Sequence, residues 1–176
     1  MTDFAALSAV IGAGLTPTLA FLYQRLERLL NHGDTPEPAP QAPAELTGTL
    51  VLPLQADASL LAAHRRDLEG LRDALHVYYR GDAPVAPTDD SLLRSLGRLR
   101  GLLEDIYGQH LTFQGEQRPV SGSVVRQRTE RVTGEQIGMD AEEITGDAHV
   151  DQDVGTVERG GSNIGMRARR IGPPPV

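Results

Sequence analysis

Two segments in the middle of the chain carry apolar residues at alternating steps of three and four positions, the spacing of a heptad seam. The first covers residues 57–80, and the second begins at Asp89 or Asp90, either of which suits a helix cap, and ends near Tyr107. Because only a short loop connects them, they predict an antiparallel helical hairpin with coiled-coil-like packing. The seam positions are Leu61, His64, Leu68, Leu71, Leu75 and Tyr78 in the first segment, and Leu92, Leu96, Leu99, Leu103 and Ile106 in the second.

The N-terminal segment, residues 1–31, predicts an apolar helix that Pro17 weakens. No charged residue occurs from Phe4 to Gln24, and about 20 helical residues suffice to cross the ~30 Å hydrocarbon core of a bilayer. We therefore expect membrane insertion or association. The arginines that follow favour a cytoplasmic location for the rest of the chain, at the inner face of the plasma membrane. The candidate membrane residues are Phe4, Leu7, Val10, Ile11, Leu15, Leu19, Phe21 and Leu22.

Two alternatives to a membrane stay open for this helix. It could pack on the hairpin and complete a three-helix unit, because Leu60, Leu93 and Leu102 widen the apolar stripes beyond what one partner helix covers. It could also dock into a larger particle, in which case the protein would be a soluble structural or adaptor subunit.

Proline and glycine divide the chain into four parts. After the apolar helix of residues 1–31 comes a Pro-rich linker, 32–48, and then the hairpin region, 49–113. Residues 114–176 contain short β-compatible runs separated by glycine and end in a proline-rich C-terminus that we expect to be frayed. The predicted fold class is therefore α+β, an apolar helix and an antiparallel hairpin followed by a small, solenoid-like β-repeat module.

The β-repeat module contains two segments that repeat each other with reversed charge. Residues 134–145 align with residues 161–172, sharing an Ile-Gly-Met core, and three acidic residues of the first become arginines in the second. Opposite charges on neighbouring strands contribute roughly 0.2–1 kcal/mol each, whereas like charges repel. One repeat is thus expected to pair with the other, within one chain or between chains. The candidate assembly residues are Ile137, Met139, Asp140, Glu142, Glu143, Ile164, Met166, Arg167, Arg169 and Arg170.

The outcome of this pairing is left open by the repeats themselves. Pairing within one chain would close a self-contained β domain, and pairing from chain to chain would build a ring or a fibril. The partner would then be another copy of the chain or a protein with a matching repeat.

Composition narrows the classes of function. The formal net charge of −7 argues against a nucleic-acid partner, which requires a basic surface. The chain lacks cysteine, which excludes disulfides and thiolate chemistry, and its five histidines form no metal-ligand motif. With no catalytic grouping either, we expect a non-enzymatic protein that uses neither cofactor nor metal.

An apolar helix, a helical bundle and a Gly-punctuated repeat together resemble the HeLo-like cell-death executors, whose bacterial counterparts are BELL-domain proteins with amyloid signalling motifs. In the fungal HET-s motif of that group, two pseudo-repeats stack as β-solenoid layers with opposite charges facing each other. The resemblance implies that Ile137-Gly138-Met139 and Ile164-Gly165-Met166 are core strands, and that the apolar helix disrupts membranes once it is released. It further implies a cell-death or conflict-system effector.

Overall fold

The computed structural model describes residues 14–132, 135–144 and 148–171. Three helices come first and five strands follow, so the chain is α+β, as the sequence predicts. The helices are α1 (Leu15–His32), α2 (Ala58–Tyr79) and α3 (Asp90–Tyr107). The strands are β1 (Gln109–His110), β2 (Gly122–Val132), β3 (Glu135–Ile144), β4 (Ala148–Val157) and β5 (Ser162–Ile171).

Leucines from all three helices form one hydrophobic core. The leucines and Ile106 at the predicted seam positions are buried. The other two seam residues, His64 and Tyr78, are partly exposed. Phe113, just beyond β1, closes the core and meets Phe21 of α1 edge to face, with ring centroids 6.4 Å apart. Among the residues whose side chains the structure describes, every buried apolar one belongs to this core, which ends at Phe113. We call residues 14–121 the helical body.

Helix α1 is part of this core. It begins at Leu15, so Pro17 lies in its first turn, where the backbone N–H groups have no intrahelical partner and proline costs little. It ends at His32, one residue beyond the prediction, and Gly33 follows with a φ of 63°. The predicted helical residues 1–13 lie outside the described part of the chain. No helix among the described residues is both long and apolar enough to cross a membrane.

Aspartates cap both central helices. The Asp57 carboxylate accepts hydrogen bonds from the backbone N–H groups of Ser59 and Leu60, and Asp89 does the same at the start of α3. Of the two aspartates that the sequence offered as a cap for α3, the cap is Asp89. The hydroxyl of Tyr78 also donates to Asp89. These hydrogen bonds hold the pKa of Asp89 below its usual value.

The Pro-rich segment between α1 and α2 is fastened to the helical body. The backbones of Glu37 and Leu54 exchange two hydrogen bonds, and the Glu45 carbonyl accepts one from Gln114. The carboxylate of Glu37 lies 3.2 Å from the buried guanidinium of Arg25, which also stacks over the Phe21 ring. The predicted linker therefore makes defined contacts with α1 and with the chain beyond β1.

The four C-terminal strands pair with the next strand but one along the chain and do not form hairpins. Strand β2 pairs in parallel with β4, and β3 pairs in parallel with β5. Strand β1 pairs antiparallel with β2, so the first sheet has the order β1-β2-β4. The second sheet consists of β3 and β5. We call β2–β5 the strand module. Its first half, β2 and β3, thus lies against its second half, β4 and β5.

Candidate functional site

The reversed-charge repeats are neighbouring strands. The Cα partners in β3 and β5 are 27 positions apart along the chain, which is the offset of the sequence alignment. Acidic positions on one strand are therefore Cα partners of arginine positions on the other. Glu142 and Arg169 belong to the same two strands and share this offset. The paired candidate positions are Ile137 with Ile164, Met139 with Met166, Asp140 with Arg167, and Glu143 with Arg170.

The other strand pair carries a second charge reversal, which the repeat alignment missed. In the register of β2 and β4, Arg126 is the partner of Asp151, and Arg128 is the partner of Asp153. The signal is present in the sequence as Val-Arg-Gln-Arg at residues 125–128 and Val-Asp-Gln-Asp at residues 150–153. This signal is short, and its two copies are 25 residues apart, whereas the copies in β3 and β5 are 27 apart. The difference arises because four residues, 158–161, separate β4 from β5, whereas two residues, 133–134, separate β2 from β3.

The two halves of the strand module consequently have opposite charge orders. The first half is basic along β2 and acidic along β3, and the second half is acidic along β4 and basic along β5. One ion pair across the halves joins Arg167 of β5 to Glu135 of β3. In addition, the Gln152 amide of β4 donates to the Ile164 carbonyl of β5 at 3.4 Å.

The apolar side chains described in the strand module are covered only in part. Ile137, Ile164 and Met166 are half-buried, and Val157 is 45% exposed. In the helical body, by contrast, the core leucines are almost fully buried. The strand module therefore retains apolar surface that a further layer of strands would cover.

The edges of the strand module differ from each other. Within the described sheets, β4 has β2 as its one neighbour, and β5 has β3. The opposite edge of β2 is occupied at its start, because β1 pairs there with Gly122 and Ser123. Unpaired strand edges present backbone donors and acceptors to any incoming strand. The β4/β5 edge is thus the more accessible of the two.

Charged side chains fasten the segment that leads into the strand module to α3. Glu104 of α3 accepts a hydrogen bond from the backbone N–H of Leu111 at 2.9 Å and two from Arg118, at 2.9 and 2.8 Å. A second ion pair joins Arg100 of α3 to Glu116. Burial alone would raise the pKa of Glu104, but hydrogen bonds from His110, Arg118 and Leu111 outweigh it and hold the pKa below the usual value. Leu111, Glu116 and Arg118 lie between β1 and β2, and His110 is the last residue of β1.

A glycine and a serine complete this junction. Ser121 is fully buried; its hydroxyl accepts from the Thr112 N–H at 2.8 Å, and its backbone bridges to Gly48. Gly48 has a φ of 80°, and a Cβ on it would collide with the Ser121 backbone, so only glycine fits. The chain therefore enters β2 from a rigid base.

Half of the candidate membrane residues are part of the helical core. Leu15, Leu19, Phe21 and Leu22 are each at most 2% exposed. The remaining four lie outside the described residues: Phe4, Leu7, Val10 and Ile11. The described half of this set therefore contributes to packing within the body, which corresponds to the three-helix alternative.

Side chains that could bind a metal ion do not cluster in the described part of the chain. No group of three or more histidine or acidic side chains there is arranged to hold a metal ion. Comparison of the chain with profiles of known protein families, with curated protein sequences and with solved structures finds no match.

Proposed function

We propose that this protein is a non-enzymatic assembly protein, in which the strand module associates with other copies and the helical body is carried along. The observation that supports this most directly is the charge order of the two halves. Both strand pairs set basic positions against acidic ones, and the order reverses between the halves.

In this proposal the strand module is a two-layer solenoid, with β2 and β3 as the first layer and β4 and β5 as the second. A following copy that sets its first layer on an exposed second layer would recreate both sets of opposite charges. Two second layers meeting each other would instead oppose aspartates at Asp151 and Asp153, and arginines at Arg167 and Arg170. The favoured contact is therefore head-to-tail, which continues from copy to copy. A different protein with a matching repeat would fit the same edge.

The proposal treats α2 and α3 as an antiparallel hairpin that supports the strand module. Three contacts support this arrangement. The Tyr78 hydroxyl at the end of α2 meets Asp89 at the start of α3. Asp67 and Arg98, in the middle of the two helices, form an ion pair at 2.6 Å. At the other end, the N–H of Asp57 donates to the Ile106 carbonyl at 2.8 Å.

Membrane association is the second element of the proposal, and it would place the protein at the inner face of the plasma membrane as a cell-death or conflict-system effector. Because α1 is buried in the body, this function requires that α1 leave the core when copies assemble. Liposome flotation tests it best with Phe4→Asp and Leu7→Asp, since Leu15→Asp would disrupt the core itself. The alternative is a soluble structural or adaptor subunit whose N-terminal helix docks into a larger particle; in that protein the Phe4 and Leu7 changes would not alter flotation.

Charge reversal tests the assembly proposal. Changing Asp140, Glu142 and Glu143 to Arg should suppress assembly, because arginines would then oppose the β5 arginines within and between copies. Changing Arg167, Arg169 and Arg170 to Glu in the same chain should restore assembly. This compensated variant should nevertheless co-assemble poorly with the unaltered protein, since their mixed contacts along β3 and β5 oppose like charges.

Sedimentation velocity of each protein and of labelled mixtures provides the measurement. Asp34, Asp73 and Asp82 changed to Arg make a matched control, because they are exposed on the helical body and alter the net charge by the same amount. Assembly that survives the β3 reversal, or that the compensation does not restore, would rule out charge-matched stacking.

A further inference from the structure

A groove between α2 and α3 lies on the helical body, away from the strand module. Its volume is about 420 Å³, within the range of small-molecule sites. Arg66 and Asp67 of α2 line it together with Arg94 and Arg98 of α3, so that three guanidinium groups share it with one carboxylate. The chain as a whole has a net charge of −7, which makes this local excess of positive charge distinctive.

The single carboxylate of the groove is already engaged. Asp67 is bound by Arg98 at 2.6 Å, and the Nδ1 atom of His64 lies 3.8 Å from it. Arg94 donates from Nε to the Asp90 carbonyl at 3.1 Å, a contact that leaves its two terminal nitrogens for a ligand. Arg66 is exposed and forms no ion pair among the described residues. Two positive charges are therefore uncompensated by protein groups in the described part of the chain.

The floor of the groove is open and weakly polar. Gly70 lies in the interior of α2, where glycine costs about 1 kcal/mol relative to alanine. A Cβ on Gly70 would meet nothing within 4 Å, so packing does not require glycine there. Together with Ala74 it leaves space beside the arginines. That space suits the carbon skeleton of a small ligand whose charged group faces the guanidinium groups.

We propose that this arginine groove binds a phosphate monoester, borne either by a soluble metabolite or by a lipid headgroup. A guanidinium group matches phosphate oxygens with paired, charge-assisted hydrogen bonds, and Arg66 and Arg94 supply two such groups. Arg98 is oriented by Asp67 and contributes positive charge at the rim. The site is independent of the assembly proposal, because none of its residues belongs to the strand module.

The test uses the full chain and two probes, glycerol 3-phosphate in solution and phosphatidylcholine vesicles with and without phosphatidic acid. Glycerol 3-phosphate should shift the amide signals of Gly70 and the guanidinium signals of Arg66 and Arg94 in NMR titrations. Arg66→Gln with Arg94→Gln removes the charge-assisted contacts of both side chains, so it should weaken binding at least about tenfold. Gly70→Leu should weaken it too, by filling the groove without changing charge.

Arg80→Gln with Arg159→Gln is the matched control, since both side chains are exposed and lie outside the groove. If the unaltered protein and the control variant bind glycerol 3-phosphate and the groove variants do not, the groove is a metabolite site. Flotation that needs phosphatidic acid and fails in the same variants would assign a headgroup site. An equal loss in the control, or no response to either probe, would overturn the proposal, and unchanged helical circular dichroism would exclude unfolding as the cause.

Discussion

The residue with the greatest structural influence on the junction is Glu104. Its carboxylate is buried and is satisfied by the Leu111 N–H and the Arg118 guanidinium, both of which belong to the segment that leads into β2. When one partner of a buried ion pair is removed, the charge that remains is uncompensated, which destabilises a protein by several kcal/mol. Glu104 therefore couples the end of α3 to the segment that leads into the strand module.

Glu104→Gln should destabilise the helical body by about 3 kcal/mol at neutral pH, because the half-buried Arg118 would lose its counter-charge. The pKa of Glu104 is lowered in the folded state, so its contribution is complete above the ordinary value of 4.5 and is lost as the pH falls through the lower, folded-state value. The difference in unfolding free energy between wild type and variant should thus shrink on acidification. Urea unfolding between about pH 7 and pH 3 measures it.

Glu69→Gln is the matched control for this change. Glu69 also lies in a helix and pairs with Arg65 at 3.3 Å, but both side chains are about half exposed. Such pairs contribute roughly 0.5 kcal/mol or less. A loss in Glu104→Gln as small as in this control, or one that does not depend on pH, would contradict a coupling role for the carboxylate.

Residue-level features of this kind could be predicted only in part. Asp89 was one of two aspartates proposed as the α3 cap, because capping depends on local sequence. Glu104 gave no comparable signal. Its partners are brought to it by the chain's reversal after α3, and nothing in the spacing of residues 104, 111 and 118 indicates that reversal.

At the scale of elements, α1 is a core helix of the body. Leu22 is fully buried, and Arg25 and Tyr23 on the same helix are also buried. The Tyr23 hydroxyl lies 2.9 Å from Nδ1 of His76 in α2, and burial raises the pKa of Tyr23 to about 12. A helix that served only as a detached membrane segment would not need these specific contacts with α2.

Leu22→Ala should therefore lower the unfolding free energy of the whole helical body by about 2–5 kcal/mol, the usual range for a leucine truncated in a core. Thermal unfolding followed by circular dichroism measures the effect. Gln24→Ala, at an exposed position of the same helix, should change stability very little. If Leu22→Ala leaves the melting of α2 and α3 unchanged, α1 is not an integral part of their core in solution.

The helices also show what an apolar pattern can and cannot predict. Heptad leucines and capping aspartates predicted α2 and α3 nearly to the residue, because spacing and caps are local properties. For α1 the same composition was compatible with a bilayer or a protein core. Leu15, Leu19 and Leu22 meet an apolar environment in either case, so composition could not distinguish between them.

As a whole, the molecule consists of two parts held by different interactions. The helical body is stabilised by a leucine core that ends at Phe113, and the strand module by parallel backbone pairing with opposite charges at partner positions. One strand pairing could be predicted, since the segments 134–145 and 161–172 share six residues. The β2–β4 pairing could not, because its likeness is confined to Val-x-Gln-x and its offset depends on a longer turn.

This division predicts that assembly and body stability respond to different variables. If copies associate through the folded strand module, as proposed, raising the protein concentration should stabilise that module by mass action and leave the body unaffected. Hydrogen exchange with mass spectrometry can separate them. Peptides from residues 122–132 and 148–171 should gain protection as concentration rises, whereas peptides from α1–α3 should not.

The β3 charge-reversal variant sharpens this measurement. With Asp140, Glu142 and Glu143 changed to Arg, the concentration-dependent protection of the strand module should disappear. The protection of the α2 and α3 peptides, which does not depend on concentration, should stay the same. Leu22→Ala should produce the opposite result, with faster exchange in the helices and unchanged concentration dependence in the strands. Because the helical core contains no described side chain of the strand module, each change should affect its own part alone. Concentration-dependent protection that spreads into α1–α3 would mean that the body itself takes part in assembly, so that stacking of strand edges would not account for it.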